Sequence, residues 1–370
     1  MAVTAIAISF LVMIIAVAVS SGFRTEIRKG ISSLTGDVLL TNAYFNYTSD
    51  TDPVRTDLSY LPAIEQTRGV AGVTPVIYRA GIVKSGEQIE GVLFKGTPSD
   101  TASMGARIPE KLAKSLSLKE GDSFVSYFIG EKTKARRFTV TEVCGSMVET
   151  DGYMTVYVSD SDLRRLNGWD EHEASMIEVT LDESCRDRSA MREMAQKIGA
   201  ISSMSAREDE DVLVSTAASD KFSQIFDWLD LIDFNVVAIL LLMTVVAGFN
   251  MISGLLILLF RNISTIGTLK SLGMTDRAIG GVFMRVSARI VGKGLLIGNV
   301  LALAFCLIQG TTHLLKLNPE NYFVPFVPVN INVGAVLLAD IAAAAAIMLL
   351  LLIPCLFISK IDPSETVKTE

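Results

Sequence analysis

Apolar and charged stretches alternate along this chain on a scale of tens of residues. Nearly uninterrupted apolar runs occupy Ala2 to Phe23, Val236 to Phe260, about Ile279 to Gln309, and Val333 to Ile358. A helix needs roughly 20 apolar residues to cross a bilayer core, so the pattern predicts four transmembrane helices. The third run is interrupted, because Arg285, Arg289 and Lys293 recur at i, i+4 and i+8 and share one helical face. Such a stripe suits snorkelling to lipid phosphates or an anionic partner surface. Asn250 and Asp340 are polar groups inside the second and fourth runs, expected to face neighbouring helices or a dimer cavity.

Between the first two runs the periodicity changes. Val73 to Tyr78, Gly81 to Val83, Gly91 to Gly96, Phe124 to Ile129, Arg137 to Val143 and Tyr153 to Val158 read as strands, and Pro109 to Leu116, Ser159 to Leu166 and Asp187 to Ile198 as helices. From about Ala206 helical spacing continues without Pro or Gly to Gly248. Unbroken to Phe260, that helix would be on the order of 80 Å long and would leave the membrane as a stalk. The expected fold is an α-helical membrane protein with four transmembrane helices and a large mixed α/β periplasmic domain inserted between helices 1 and 2. The expected boundaries are 1–23 for helix 1, 24–205 for the α/β domain, 206–260 for the stalk and helix 2, and 261–278 for a cytoplasmic loop helix. Helix 3 follows at 279–309, a periplasmic loop at 310–332, helix 4 at 333–358 and a cytoplasmic tail at 359–370.

Composition adds the orientation. Half of the residues are hydrophobic yet a fifth are charged, so the charge must be segregated. Arg24 to Asp233 holds 24 basic against 34 acidic residues, whereas Arg261 to Lys293 holds six basic residues and Asp276 alone as acid. Basic short loops face the cytoplasm, which places the Arg261 loop inside, both termini inside with Lys360 and Lys368, and the acidic block outside. Arg24, Arg28 and Lys29 then follow the first run on the outer side, and a basic lead-in ahead of Met1 is the expected counterweight. A cleaved signal peptide is the rival for the first run, given Ala16-Val17-Ala18. Its length, and the small-residue pairs Ala5 with Ser9 and Ala16 with Ser20, favour a packed span.

Enzymatic chemistry is not indicated. The chain has only His172 and His313, no Cys-x-x-Cys, no Gly-x-Ser-x-Gly and no clustered metal ligands, and Gly292-Lys293-Gly294 lacks the rest of a phosphate loop. Cys144 and Cys185 lie in the outer block, where two unpaired thiols are the expectation and a disulfide the alternative; Cys306 and Cys355 lie in spans. The segment Arg261 to Ile279 is short, amphipathic and flanked by spans. Ile263, Ile266, Leu269 or Lys270, and Gly273 recur at three to four residues, giving an apolar stripe that needs a partner.

In order along the chain stand Gly22-Phe23, Val70-x-x-Val73-x-Pro75, Gly91-Val92 with Lys95-Gly96, Leu112-Ala113-x-x-Leu116 and Gly121-Asp122. Glu149-x-Asp151-Gly152-Tyr153, Phe249-Asn250-x-Ile252, Leu269-Lys270-x-Leu272-Gly273, Pro354 and Asp362-Pro363-Ser364-Glu365 follow. With one span, a large outer domain and three more spans, this order resembles the MacB/FtsX-type ABC transporter permeases, and is most similar to the lipoprotein-releasing LolC/LolE type. The resemblance implies a non-enzymatic permease of the bacterial inner membrane that pairs with a second permease chain, the same or related. A cytoplasmic ABC ATPase dimer would hold ATP and Mg, with no cofactor on this chain and no nucleic acid involved. The ATPase contact falls on Ile263, Ile266, Leu269, Lys270, Leu272 and Gly273, although Thr265 stands where many relatives carry an acid. The cargo is an acylated lipoprotein, whose route between opposing subunits points to Met13, Val17, Ser21, Phe234, Ile239 and Met243. A periplasmic carrier would dock on the hairpin Tyr127 to Arg137, through Tyr127, Phe128, Arg136 and Arg137 with Lys132 and Lys134 near its tip; a plain β-turn is the alternative. An FtsX-like permease that moves cell-wall hydrolases, or a MacB-like exporter, are the other readings.

Overall fold

A computed structural model describes residues 2–47, 52–98, 103–130, 133–144, 153–318, 322 and 324–357. It divides into a helical unit, Met1–Glu26 with Asp227–Glu370, and an α/β unit, Ile27–Phe226. The motifs at 149–152 and 362–365, Lys132, Lys360 and Lys368 lie outside the described residues.

Helix α1 (Ala2–Thr35) is followed by β1 (Val38–Thr41), β2 (Val54–Arg55), α2 (Leu61–Glu65), β3 (Val70–Ser85), β4 (Gln88–Thr97), β5 (Gly105–Pro109) and α3 (Glu110–Ser115). Then come β6 (Ser123–Phe128), β7 (Lys134–Cys144), β8 (Met154–Ser159), α4 (Asp160–Asn167), β9 (Glu173–Ala174), β10 (Met176–Leu181), α5 (Arg188–Ser205), β11 (Val214–Ala217) and α6 (Ala218–Lys221). The strands run β11-β1-β10-β3-β4-β8-β5-β7-β6, and β6 pairs back onto β3, closing the last six into a ring. Strand β3 makes this possible by its length. Val70 to Val76 pair with β10, Ile77 to Ser85 with β4, and Ile82 to Lys84 also with β6. Inside the ring lie Ile77, Val83, Phe94, Ile108, Phe124, Phe128, Phe138 and Val156, covered by Leu112 of α3 and by Leu163 and Leu166 of α4.

Two expectations change here. Helix α1 does not end near Phe23 but continues to Thr35, because Ile27, Ile31 and Leu34 repeat at helical spacing and are buried. The helical spacing from Ala206 does not make helix before residue 218: α5 stops at Ser205, Ala206 is extended, and β11 pairs with the open edge of β1. At Val214–Ala217 backbone pairing with β1 outweighs the weak local helix preference.

In the helical unit, α7 (Ser223–Arg261) is about 58 Å long at 1.5 Å per residue. It is followed by α8 (Ile263–Ser271), α9 (Asp276–Thr312), α10 (Val333–Leu350) and α11 (Leu352–Phe357). Helix α9 begins three residues before the apolar run because the Thr275 hydroxyl caps it, accepting from Ala278 N. Asn332 does the same for α10 by accepting from Ala335 N at 3.1 Å. Among the described residues, four helices are long and apolar enough to cross a membrane, at 2–35, 223–261, 276–312 and 333–355.

Helices α1 and α9 meet along a glycine seam. A Cβ on Gly298 would lie 2.7 Å from the Ala7 carbonyl oxygen and 2.8 Å from Phe10 Cβ, and one on Gly294 2.6 Å from Ile6 Cγ2. Backbones this close admit no side chain without moving apart. Gly298→Leu is expected to lower the stability of the purified full chain by about 1–3 kcal/mol, the usual cost of overpacking. An unchanged Tm would mean that the seam is looser than drawn.

Candidate functional site

The loop between α7 and α9 carries the residues expected to couple to an ATPase. Helix α7 breaks at Asn262, whose side-chain amide donates back to Leu258 O at 2.7 Å, and the chain resumes as α8. Ile266 is buried with Leu259 of α7 and Ile279 and Phe283 of α9, and Ile263 is half-buried. That anchors one side of α8. Leu272, by contrast, is 79% exposed and Leu269 36%. The helix ends in a Schellman turn: Gly273 at φ +89° donates to Lys270 O at 2.9 Å, and Met274 N donates to Leu269 O at 3.0 Å. Lys270 Nζ lies 2.9 Å from Asp276 Oδ1, so the lysine ties α8 to the first turn of α9. The expected stripe is thus two sets: Ile263, Ile266, Lys270 and Gly273 set the pose of the loop, and Leu269 and Leu272 are offered outward.

Several polar groups of the apolar helices find partners on neighbouring helices, while the buried Ser287 hydroxyl of α9 does not. Asn299 Nδ2 donates to Asp340 Oδ2 at 2.7 Å, joining α9 to α10. Asp233 accepts from Ser20 Oγ at 2.8 Å and pairs with Arg24, beside a T-shaped contact of Phe23 with Trp228 at 5.8 Å. Asn250 is exposed on the surface of α7 and meets no helix partner among the described residues of this chain, which leaves the dimer cavity as its expected neighbour. The six proposed lipid-path residues do not line one route within this chain. Met13 is buried in the same apolar cluster that Met243 borders, Val17 borders a separate cluster around Ile14 and Ala302, Ser21 is half-buried, and Phe234 and Ile239 are exposed on α7.

The β6–β7 hairpin also divides. Phe128 is 1% exposed, packed 4.9 Å from Phe94 and 6.4 Å from Phe138 between ring centroids, so it is a core residue and not an exposed docking anchor. Strand alternation explains this, since Phe124, Ser126 and Phe128 point inward and Tyr127 outward. Tyr127, Arg136 and Arg137 are exposed, as is Ile129, whose carbonyl accepts from Arg79 Nη2. Cys144 and Cys185 are unpaired; burial pushes the Cys144 thiol up.

A buried charged knot in the α/β unit was not foreseen. Lys95 of β4, 2% exposed, donates from Nζ to both carboxylate oxygens of Glu178 on β10 at 2.8 Å, and to Leu34 O in the last turn of α1 at 2.5 Å. Tyr78 of β3 donates its hydroxyl to the same carboxylate at 2.8 Å. A cation on the last carbonyls of a helix is favourable, and here it is also the counter-ion of a buried acid. Burial raises the Glu178 carboxyl above its ordinary range against the pull of Lys95 and Tyr78; burial and the Glu178 charge raise the Tyr78 phenol well above its own. Two residues beyond α1, buried Asp37 accepts from Ser32 Oγ, Leu181 N and Arg186 Nε, and burial still raises its carboxyl. Asp37 O accepts from Ala218 N at 2.9 Å. The end of α1 and the chain leading into α7 are therefore held at one edge of the sheet. The sequence signal was present in Met176-Ile-Glu-Val-Thr-Leu, an apolar strand interrupted by one acid, and in Lys95 between Phe94 and Gly96.

Residues 237–363 match the family described as FtsX-like permease C-terminal. No curated protein matches the chain. Among solved structures, the periplasmic region of MacB from Actinobacillus actinomycetemcomitans aligns with TM-score 0.33 and 13% identity, over 54% of this chain and 95% of that one. The extracellular domain of the noncanonic ABC-type transporter YknZ from Gram-positive bacteria aligns with TM-score 0.30 and 12% identity, over 49% and 97%. A domain of a putative permease protein from Porphyromonas gingivalis aligns with TM-score 0.24 and 11% identity, over 44% and 78%.

Removing Lys95 leaves Glu178 buried without its counter-ion, so Lys95→Met is expected to cost about 3–5 kcal/mol near neutral pH. A carboxyl whose folded pKa is raised adds stability that is complete below its unfolded pKa and is lost as pH rises through the folded one. Losing Lys95 raises that folded value further. Thermal unfolding of the variant should therefore recover as pH falls from about 7.5 towards the ordinary glutamate range near 4.3, by more than the wild type gains. Parallel pH profiles for the two chains would contradict this account.

Proposed function

We propose that this chain is the permease subunit of an ABC-type transporter that extracts acylated lipoproteins from the bacterial inner membrane and passes them to a periplasmic carrier. The observation that carries the permease part is the loop helix α8: it joins two apolar helices, is anchored inward by Ile266, presents Leu269 and Leu272, and falls within the segment matching FtsX-like permeases. A short amphipathic helix offering apolar side chains fits a groove on a partner, and the partner of an FtsX-like permease is a cytoplasmic ATPase. In this reading Leu269 and Leu272 enter the ATPase, while Ile263, Ile266, Lys270 and Gly273 hold the loop in register with α7 and α9. ATP and Mg belong to the ATPase chains, and none of the chemistry falls on this one.

The α/β unit then lies in the periplasm, and a second permease chain supplies the opposing surface. Exposed Phe234 and Ile239 on α7 are available to that chain or to an acyl group, and Met13, Val17, Ser21 and Met243 remain the other candidates for that route. Lipoprotein as cargo rests on the order of sequence motifs. A carrier would meet Tyr127, Arg136 and Arg137 on the hairpin, without Phe128.

The test is reconstitution of this chain with its neighbouring ATPase in nanodiscs and transfer of an acylated lipoprotein to a soluble carrier. Leu272→Asp should weaken ATPase association by at least about tenfold, or 1.4 kcal/mol, and stop transfer. Unchanged association would remove α8 as the coupling element. A stable complex that hydrolyses ATP but releases no lipoprotein would reject the cargo and keep the permease.

A further inference from the structure

We propose that the outward face of α9 from Gly280 to Val300 is a binding site for an anionic phospholipid, with its headgroup on Arg285, Arg289 and Lys293 and its acyl chains on the apolar turns that follow. The inference rests on the reading that these helices cross a membrane. It concerns a ligand that the transport reaction does not require.

The three cations rise along α9 in steps of about 6 Å and drift around it by about 40° per step, so they form one shallow ladder. All three side chains are exposed. After Asp276 the helix contains no acidic residue, so nothing within it compensates their field. The surface on the N-terminal side of the ladder is bare: a Cβ on Gly280 would meet nothing within 4 Å, and the space at Gly281 is approached by Arg285 Nη2 at 4.0 Å. The Arg285 guanidinium therefore lies back along the helix towards its N-terminus, the direction helical side chains favour. Gly292, beside Lys293, is equally open.

Depth follows from length. Lys293 to Thr312 is 20 residues, about 30 Å of helix, which alone matches the thickness of the hydrocarbon core. Lys293 then lies at the phosphate level, and Arg289 and Arg285 lie about 6 and 12 Å further out, among headgroups. One turn on the other side of Lys293 the same face becomes apolar and exposed at Leu296, Ile297 and Val300. Cations followed by an apolar strip complement one molecule, an amphiphile with an acidic head. A free phosphate ion would leave the strip unused, and an acidic protein surface would leave it in contact with nothing.

The full chain, purified in detergent, would be mixed with equal phosphatidylglycerol and phosphatidylcholine, and retained lipid counted by native mass spectrometry. Near a membrane each basic residue contributes about 1 kcal/mol towards anionic lipid, roughly fivefold. The wild type should favour phosphatidylglycerol by at least about tenfold, and inorganic phosphate should not displace it. Changing Arg285, Arg289 and Lys293 together to Gln should bring the ratio close to one. Arg285→Lys with Arg289→Lys should preserve it. If the triple variant does not fold, Arg285→Gln and Lys293→Gln singly carry the test, each expected to lower the preference about fivefold. A wild type without preference, or Gln variants that keep it, overturns the proposal. So does a triple variant that loses the ATPase while its lipid ratio is unchanged, which would make the ladder a protein contact. Leu272→Asp should leave the lipid ratio alone, so failure of the permease reading and failure of the lipid site give different results.

Discussion

Lys95 and Glu178 are both ionisable and both buried, and each is tolerable only because the other is there. Their ion pair holds three parts of the α/β unit at one point: β4 through Lys95, β10 through Glu178, and α1 through the Leu34 carbonyl. Stripping water from two charges costs several kcal/mol each, and the pair recovers this only with good geometry and further hydrogen bonds. Both conditions hold, because Lys95 donates to three oxygens and Tyr78 adds a donor to the carboxylate. An apolar replacement of the whole knot would stabilise the core equally well. What it would lose is directionality, since the Lys95 ammonium grips a helix carbonyl and a strand carboxylate at once.

The consequence is mechanical. Helix α1 ends on Lys95, its continuation β1 pairs with β11, and β11 leads through α6 into α7. The end of α1 and the chain from β11 through α6 thus meet adjacent strands at one edge of the sheet, with Asp37 bonded to both the β10 side and Ala218. Polar contacts of this kind have narrow geometric tolerance, whereas an apolar contact could slide.

The helical unit is organised differently, by close approach. Gly294 and Gly298 let α9 lie against α1, and the Asn299 to Asp340 hydrogen bond fixes α10 beside it. Both devices suit a setting where burial of apolar surface does not distinguish a helix neighbour from lipid. Against this frame α8 is a small attachment held by Ile266 and by the Lys270 to Asp276 pair, and Leu272 is left largely uncovered by the unit itself.

The existence of the long apolar helices, the mixed character of the block between the first two and the amphipathic loop were legible in the sequence, because each depends on residues within a few turns of one another. Hydrophobicity over 20 residues and a period of two or 3.6 are local quantities. What was not legible depends on residues far apart. Phe128 and Tyr127 are equally aromatic, and only the closure of β6 onto β3 decides which of them enters the core. The segment 206–217 has helical spacing but is not helical, and its last four residues become a strand because β1, far away in sequence, offers an unpaired edge. Glu178 reads as a solvated charge until Lys95 is placed beside it. In the loop, spacing put Ile266 and Leu269 on one stripe and the resemblance added Leu272, while packing against Ile279 and Phe283 made Ile266 the residue that holds the helix and left Leu272 in the open. Local chemistry determined which elements form; pairing between distant strands and helices decided which faces they turn inward, because only there do buried polar groups find partners and apolar groups lose their water.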